Sequence, residues 1–216
     1  DNVNERTVFF WNNRNARRKQ SGSLIYWFKK FLDDVGHDKA TLLMHTDPKD
    51  PHGQDLEYII NHLELNKGQV YLSRAKVEPQ YLSVMYNICD CTISISDAEG
   101  FGLATLESLA CETPIIATMT GGLQEQVTDG ENWFGIGLEP VSKAIIGSQE
   151  IPFIYEDRLS EEAVVDALKK MHNMSKKERA QLGKAGREHV LKNYSPEKYA
   201  KGWEEVFDRV VEQHGS

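Results

Sequence analysis

The sequence predicts an α/β fold: a doubly wound parallel sheet of about six strands with helices on both faces, followed by a helical C-terminal extension. Short β-branched and aromatic runs alternate with amphipathic helical patterns over residues 7–118. Glycines mark a strand-to-helix turn within this region, and helical patterns fill the chain from residue 161 onward. Because crossovers between parallel strands are right-handed, such alternation winds helices onto both faces of one sheet.

The individual elements follow in chain order. The predicted strands are short runs bounded by turn residues, at 7–11, 41–45, 69–73, 91–96 and 114–118. The helices between them have apolar residues at helical spacing, at 23–35, 56–63, 81–89 and 103–111. Three more helices are predicted at 161–171, 175–192 and 195–211, with Ser175 and Ser195 as N-caps of the last two. Ligands of such sheets bind at the carboxyl ends of the strands, so the turns after the strands should face one crevice.

Residues 94–116 contain the turn around which the chain is organised. Gly100 and Gly102 separate the strand at 91–96 from the helix at 103–111. Glycine lets the backbone approach an anion closely, and the first N–H groups of a helix point at the anion with the positive end of the helix dipole. This turn therefore predicts a phosphate site.

Two carboxylates flank the turn, Glu99 before it and Glu107 inside the helix, with seven residues between them. A carboxylate repels phosphate, so the pair is better suited to accept hydrogen bonds from hydroxyl groups on either side of the phosphates. Those hydroxyls could belong to sugars. Two glutamates at this spacing also occur by chance in acidic chains, and the complete run of residues is what makes the pattern specific.

The run from Glu99 to Glu107, followed by Ala110 and by Thr-Pro-Ile-Ile at 113–116, resembles the E-x7-E motif of retaining glycosyltransferases with the GT-B fold. It is most similar to family 4, glycosyl transferases group 1. The resemblance covers nearly the whole chain and implies a Rossmann-like domain, the C-terminal donor-binding half of such an enzyme.

The resemblance also implies roles for the motif residues. Glu107 would accept hydrogen bonds from ribose hydroxyls, and Glu99 from hydroxyls of the transferred sugar. The diphosphate of the donor would lie against the residues of the turn itself: Gly100, Phe101, Gly102 and Leu103.

Arginines and a lysine cluster in the turn after the first strand, residues 12–20, within an otherwise acidic chain. Alone, such a cluster is equally compatible with a solvated surface turn. In the family resembled here, an Arg and a Lys five or six residues apart clamp the donor diphosphate, and Arg14 with Lys19 fit that spacing. Arg18 is the alternative to Lys19, and Asn13 to Arg14. A guanidinium fork and an ammonium together can neutralise a leaving diphosphate without a metal ion.

Further donor contacts are expected after the third and fifth strands. Arg74 and Val77 occupy the place where related enzymes hold the nucleotide base. Thr120 and Gly121 follow the fifth strand and are expected to reach the ribose or the sugar.

Composition excludes several classes of protein. The 216 residues carry a formal net charge of −8, which argues against a general binder of nucleic acid or anionic membranes. No apolar run approaches the roughly 20 residues that span a bilayer, and no signal peptide opens the chain. We therefore expect a cytoplasmic protein without a transmembrane segment.

Neither the cysteines nor the histidines predict a metal site or a cofactor. The three cysteines, Cys89, Cys91 and Cys111, are odd in number and suit a reducing compartment as buried thiols. His45, Asp47 and His52 could be drawn as metal ligands, but their loop is rich in turn residues and favours a plain surface loop.

The chain is predicted to divide into a donor-binding domain at 1–194 and an amphipathic helix at 195–216. The helix has an apolar stripe that must be buried, against its own domain or against a missing one: Tyr199, Trp203, Val206, Phe207 and Val210. Residues 145–157 form an unusually long connection that could be a lid, an edge extension or a determinant of acceptor specificity. Because residue 1 is Asp rather than Met, we expect an excised domain or a mature fragment.

The predicted function is that of a donor-binding half of a hexosyltransferase, which binds a UDP-, GDP- or ADP-linked sugar for retaining transfer to an acceptor hydroxyl. We expect the acceptor-binding N-terminal domain to lie outside this chain, which alone should then bind nucleotide weakly and transfer little sugar. The alternatives are half of a GT-B epimerase or phosphorylase, and a non-catalytic nucleotide-binding module. A dehydrogenase is disfavoured because no G-x-G-x-x-G follows the first strand.

Overall fold

Six parallel strands form the main sheet of the computed structural model, which describes residues 6–214. In chain order they are β1 (Thr7–Asn12), β2 (Ala40–His45), β3 (Val70–Ser73), β4 (Cys91–Ser94), β5 (Ile115–Thr118) and β6 (Gly135–Leu138). Their order in space is β3-β2-β1-β4-β5-β6, so the direction of winding reverses between β1 and β4. The predicted doubly wound parallel sheet is confirmed.

Eight α-helices surround this sheet or follow it within the described residues. They are α1 (Ser21–Val35), α2 (Leu56–His62), α3 (Pro79–Asn87), α4 (Leu103–Ala110), α5 (Leu123–Val127), α6 (Glu161–Asn173), α7 (Lys176–Asn193) and α8 (Pro196–His214). Seven of them were predicted. The exception is α5, because five residues are too few to show a helical period. Ser175 caps α7 in a reciprocal capping box with Glu178.

Aromatic residues of β1 explain why helices cover both faces of the sheet. Phe9 packs edge-on against Phe28 and Phe31 of α1, with ring centroids 6.0 and 5.8 Å apart. Phe10 points to the opposite face, where its ring centroid lies 5.1 Å from that of Tyr86 in α3. Successive side chains of a strand alternate between faces, and each face of β1 is apolar.

The strand β6 was not predicted, because two of its four residues are glycines. Gly135 and Gly137 lower the apparent strand propensity of this segment. In the structure a Cβ at Gly135 would overlap the carbonyl oxygen of Ile115 on β5. The close pairing of β5 and β6 therefore requires glycine at position 135, the same residue type that weakens the strand signal in the sequence.

Residues 145–157, to which no role was assigned, begin and end in the two strands of an antiparallel hairpin outside the main sheet. Its strands are β7 (Ser142–Ile145) and β8 (Tyr155–Arg158), which pair from Ser142 opposite Arg158 to Ile145 opposite Tyr155. Residues 146–154, which join the two strands, lie in no helix or strand. The interpretation of residues 145–157 as a lid or a specificity element stays a prediction.

Of the two expectations for the apolar stripe of the last helix, burial against its own domain is wrong for residues 6–214, and burial against a missing domain stays a prediction. No residue of α8 is buried, and its large aromatic and aliphatic side chains are exposed. Two of them stack on each other instead, Trp203 and Phe207, with centroids 5.5 Å apart. The division at residue 194 stays a prediction, and its outer ends, residues 1–5 and 215–216, lie outside the described residues.

Among residues 6–214 no helix combines the length and the apolar composition that crossing a bilayer requires.

Candidate functional site

A hollow of about 490 Å³ opens at the carboxyl ends of β1 and β4. These neighbouring strands are the pair between which the winding reverses, the place where doubly wound sheets bind ligands. Eight of the predicted site residues line this one hollow, and they come from two distant parts of the sequence: Arg14, Lys19, Glu99, Gly100, Phe101, Gly102, Leu103 and Glu107.

The turn between β4 and α4 lines the hollow and leaves backbone N–H groups without a side-chain cap. Gly102 begins α4 in the left-handed conformation, and no side chain caps the helix. The Gly100 carbonyl accepts from the N–H of Gly122 at 3.2 Å, and the Phe101 carbonyl accepts from Nε2 of Gln126 at 2.7 Å. Because a trans peptide directs its N–H opposite to its carbonyl, the amides of Phe101 and Gly102 point away from α5. The arrangement suits an anion at the helix N-terminus.

Gln126 and Thr105 hold this turn by hydrogen bonds, and neither was predicted to belong to the site. Gln126 is fully buried in α5, and its Oε1 accepts from Oγ1 of Thr105 at 2.6 Å while its Nε2 binds the Phe101 carbonyl. Gln126 lies 25 residues from Phe101 in the chain. No local pattern could have indicated the contact.

Lys19 and Glu99 form an ion pair at the floor of the hollow. Both side chains are mostly buried, and Arg18 approaches the same carboxylate at 3.5 Å. Burial lowers the pKa of Lys19, while the neighbouring Glu99 acts in the opposite direction. Lys19 and Glu99, two of the three residues predicted to act in transfer with Arg14, are therefore paired with each other.

Arg14 stands at the exposed rim of the hollow, held by the loop after β2. Its Nε donates to Asp50 at 2.7 Å, and its Nη2 lies 2.7 Å from Nδ1 of His52. The guanidinium holds the pKa of the Asp50 carboxyl below its ordinary value. Asn13 also lines the hollow, and its buried Nδ2 has no partner within residues 6–214. Both candidates for this position thus face the same cavity.

Glu107 is half-buried on α4 and faces the hollow. One of its oxygens, Oε2, accepts a hydrogen bond from the hydroxyl of Tyr86 at 2.8 Å. The two carboxylates of the predicted E-x7-E pair, one before the turn and one after it in the sequence, therefore line the same hollow.

Four predicted donor-binding residues do not line the hollow. Arg74 and Val77 follow β3 at the edge of the sheet, where the Arg74 guanidinium pairs with Glu57 of α2. Thr120 is buried after β5. Gly121 lies directly beneath the turn, since a Cβ there would overlap the carbonyl oxygen of Glu99. The roles of all four stay predictions.

The hairpin of β7 and β8 is tethered to the same region by buried carboxylates. Glu156 accepts from Arg17 at 2.9 and 2.5 Å, and this interaction lowers its pKa. Asp97 accepts from Gln20 at 2.7 Å and pairs with Arg158; burial raises its pKa. The hairpin thereby braces both the turn that carries Lys19 and the turn that carries Glu99.

The residues that could be drawn as metal ligands, His45, Asp47 and His52, form no metal-binding group within residues 6–214. No group of three or more His, Cys, Asp or Glu side chains suited to a metal occurs within the described part of the chain. Nδ1 of His45 lies 2.9 Å from the Ser73 hydroxyl instead, and Cys89 and Cys91 are buried free thiols. Burial raises the pKa of Cys89 to about 12.

Comparison with known proteins places this chain in a family. The family model of glycosyl transferases group 1 matches residues 4–189. D-inositol 3-phosphate glycosyltransferase of Acidothermus cellulolyticus is 46% identical over 69 residues, which are 32% of this chain and 15% of that protein.

Two solved structures share the fold. Sucrose-phosphate synthase from Thermosynechococcus elongatus superposes with a TM-score of 0.75 at 22% identity, covering 97% of this chain and 46% of that one. A structure described as trehalose-6-phosphate from E. coli bound with UDP-2-fluoro glucose gives 0.70 at 14% identity, covering 97% and 45%. The matched region is less than half the length of each of these three proteins. It belongs to the glycosyl transferases group 1 family.

Proposed function

We propose that this chain is the donor-binding half of a retaining, metal-independent glycosyltransferase of family 4, which takes a hexosyl group from a UDP-, GDP- or ADP-linked sugar. The observation that carries the proposal is that Lys19, Glu99 and Glu107 line one hollow together with the turn that opens α4, at the reversal of the sheet. A similar fold described with UDP-2-fluoro glucose supports the choice of ligand.

Each group in the hollow has a chemical task in this proposal. The diphosphate lies against the amides of Phe101 and Gly102, with Lys19 and Arg14 as its cationic partners. Glu107 accepts from the ribose and Glu99 from the transferred sugar. Binding requires the Lys19 ammonium to exchange the Glu99 carboxylate for the diphosphate, which frees Glu99 for sugar hydroxyls.

The transfer step breaks the bond between the anomeric carbon and the diphosphate oxygen. The acceptor oxygen bonds to that carbon on the same face, and its proton passes to the departing diphosphate. Stabilising the developing negative charge is the main electrostatic task of this half, and preorganised amides with a cation fulfil it without a metal ion. Glu99 is not the nucleophile in this scheme.

The remainder of the enzyme is part of the proposal. An acceptor-binding domain outside this chain binds the acceptor whose hydroxyl receives the sugar. The isolated 216 residues therefore bind nucleotide but transfer little or no sugar. We expect the complete protein to work in the cytoplasm.

Calorimetric titration with UDP, GDP and ADP tests the proposal. At least one should bind saturably, and Glu107→Ala and Arg14→Ala should each weaken binding by about 1.5–3 kcal/mol, because each removes a charge-assisted hydrogen bond. Binding should be unchanged in EDTA.

The matched control is Glu162→Ala, which removes an exposed carboxylate of α6 away from the hollow and should leave the affinity unchanged. Absence of saturable binding by all three nucleotides, or binding that survives Glu107→Ala undiminished, would contradict the proposal.

A further inference from the structure

Three side chains from different elements form a hydrogen-bonded series that ends on Glu107. Nδ2 of Asn12, at the end of β1, donates to the Tyr86 hydroxyl at 2.9 Å. The Tyr86 hydroxyl, from α3, donates to Oε2 of Glu107 on α4 at 2.8 Å. Tyr86 and Asn12 have no role in the function proposed above.

The direction of these hydrogen bonds follows from the chemistry of the groups. An ionised carboxylate only accepts, so the single proton of the phenol must point to Glu107. The phenol oxygen can then only accept from Asn12, which must present its amide nitrogen. Burial raises the pKa of Tyr86, so the phenol keeps the proton it donates.

The position of the donor is rigid. Tyr86 is 1% exposed, and its ring packs edge-on against Phe10. Its backbone carbonyl accepts from Oγ1 of Thr113 at 2.9 Å. One oxygen of Glu107 is therefore held at a fixed point, while Oε1 has no hydrogen-bond partner in the described residues and belongs to a side chain that lines the hollow.

We propose that Asn12 and Tyr86 are positioning residues that hold Glu107 so that its Oε1 accepts from the ribose hydroxyls, which makes the site selective for ribonucleotides over deoxyribonucleotides. This inference rests on the proposed nucleotide function. A fixed acceptor that loses its hydroxyl partner stays desolvated and unpaired, and this penalty rejects the deoxy ligand. A carboxylate that can rotate toward water has a smaller desolvation penalty, so the selectivity depends on the hydrogen bonds from Tyr86 and Asn12 that fix Glu107.

The test compares ribose and deoxyribose ligands on the full chain. UDP, GDP and ADP are titrated beside their 2′-deoxy and 2′,3′-dideoxy forms into the unmodified protein, Tyr86→Phe and Asn12→Ala. Tyr86→Phe should weaken binding of the ribonucleotide about fivefold and that of the dideoxy form less than about twofold. Asn12→Ala should act in the same direction. Tyr81→Phe, which changes an exposed tyrosine of the same helix, is the control and should change neither.

A cycle with Glu107→Ala separates positioning from a general structural effect. If Tyr86 acts through Glu107, then Tyr86→Phe has no further effect on binding in the Glu107→Ala background. Three results would overturn the inference. The first is an equal loss of affinity for ribose and dideoxy ligands, and the second is unchanged binding in both Tyr86→Phe and Asn12→Ala. The third is a full second loss of affinity when Tyr86→Phe is added to Glu107→Ala. If the unmodified chain bound no nucleotide, the proposed function itself would fail, and the inference with it. Should Tyr86→Phe not fold, Asn12→Ala alone decides the question.

Discussion

Substitution Gly121→Ala is expected to lower the free energy of unfolding by about 2–5 kcal/mol. Gly121 has φ +49°, and a Cβ would overlap the carbonyl oxygen of Glu99, so the turns after β4 and β5 could not both keep their positions. Urea unfolding followed by circular dichroism measures this loss. Because the displaced turn carries Glu99, nucleotide affinity should fall as well.

Gly130→Ala is the matched control. Gly130 also has a positive φ, +95°, but a Cβ there would meet open space. Its alanine variant should lose only the backbone strain, about 1–2 kcal/mol, and keep its affinity for nucleotide. Equal destabilisation by the two substitutions would mean that the close approach to Glu99 contributes nothing.

Lys19→Ala is expected to weaken binding of the nucleoside diphosphate by about 1.5–3 kcal/mol, roughly 10- to 150-fold. The substitution removes the cation from the floor of the hollow and leaves the mostly buried Glu99 without its principal partner. Calorimetry measures the loss, with Lys49→Ala as the control, since Lys49 is an exposed lysine that pairs with Glu57 outside the hollow.

The same lysine predicts a pH dependence. Only the protonated amine attracts diphosphate, and burial lowers the pKa of Lys19 from 10.5. Affinity should therefore fall as the pH rises through the alkaline range, beginning below the pH at which an exposed lysine titrates. Lys19→Ala should lack this decline.

Glu99→Gln should tighten binding of the nucleoside diphosphate, the opposite of the effect of Lys19→Ala, because Lys19 no longer has a competing carboxylate. Weaker binding by Glu99→Gln would contradict the exchange of partners.

Elements with a local signal could be predicted from the sequence. Apolar runs such as 7–11 and 41–45 are interpretable as strands because every residue of a sheet covered on both faces can be apolar. The turn at Gly100 and Gly102 was predicted because glycine, carboxylates and a helix start occur within a few residues. Lys19 needed the resemblance to a family, since a basic turn alone does not specify a ligand.

Other parts depend on contacts between distant residues. Gln126 was missed because its partner Phe101 lies 25 positions away, and Glu156 because Arg17 lies 139 positions away. Tyr86 has the spacing of an ordinary core residue, and only the structure reveals that its hydroxyl reaches Glu107. The helix α8 was predicted, but where its apolar face packs was not, because an amphipathic pattern shows that a face is apolar and not whether its partner lies within the same chain.

Chemical-shift mapping of the backbone amides tests the central claim most directly, namely that a nucleoside diphosphate binds against the amides that open α4. Titration of ¹⁵N-labelled protein with UDP, GDP or ADP should give saturable shifts concentrated at residues 12–19 and 99–107. Shifts centred instead on the hollow at the amino ends of β4 and β5, lined by Asp90, Arg179 and Arg187, or no saturable shifts with any of the three nucleotides, would contradict it.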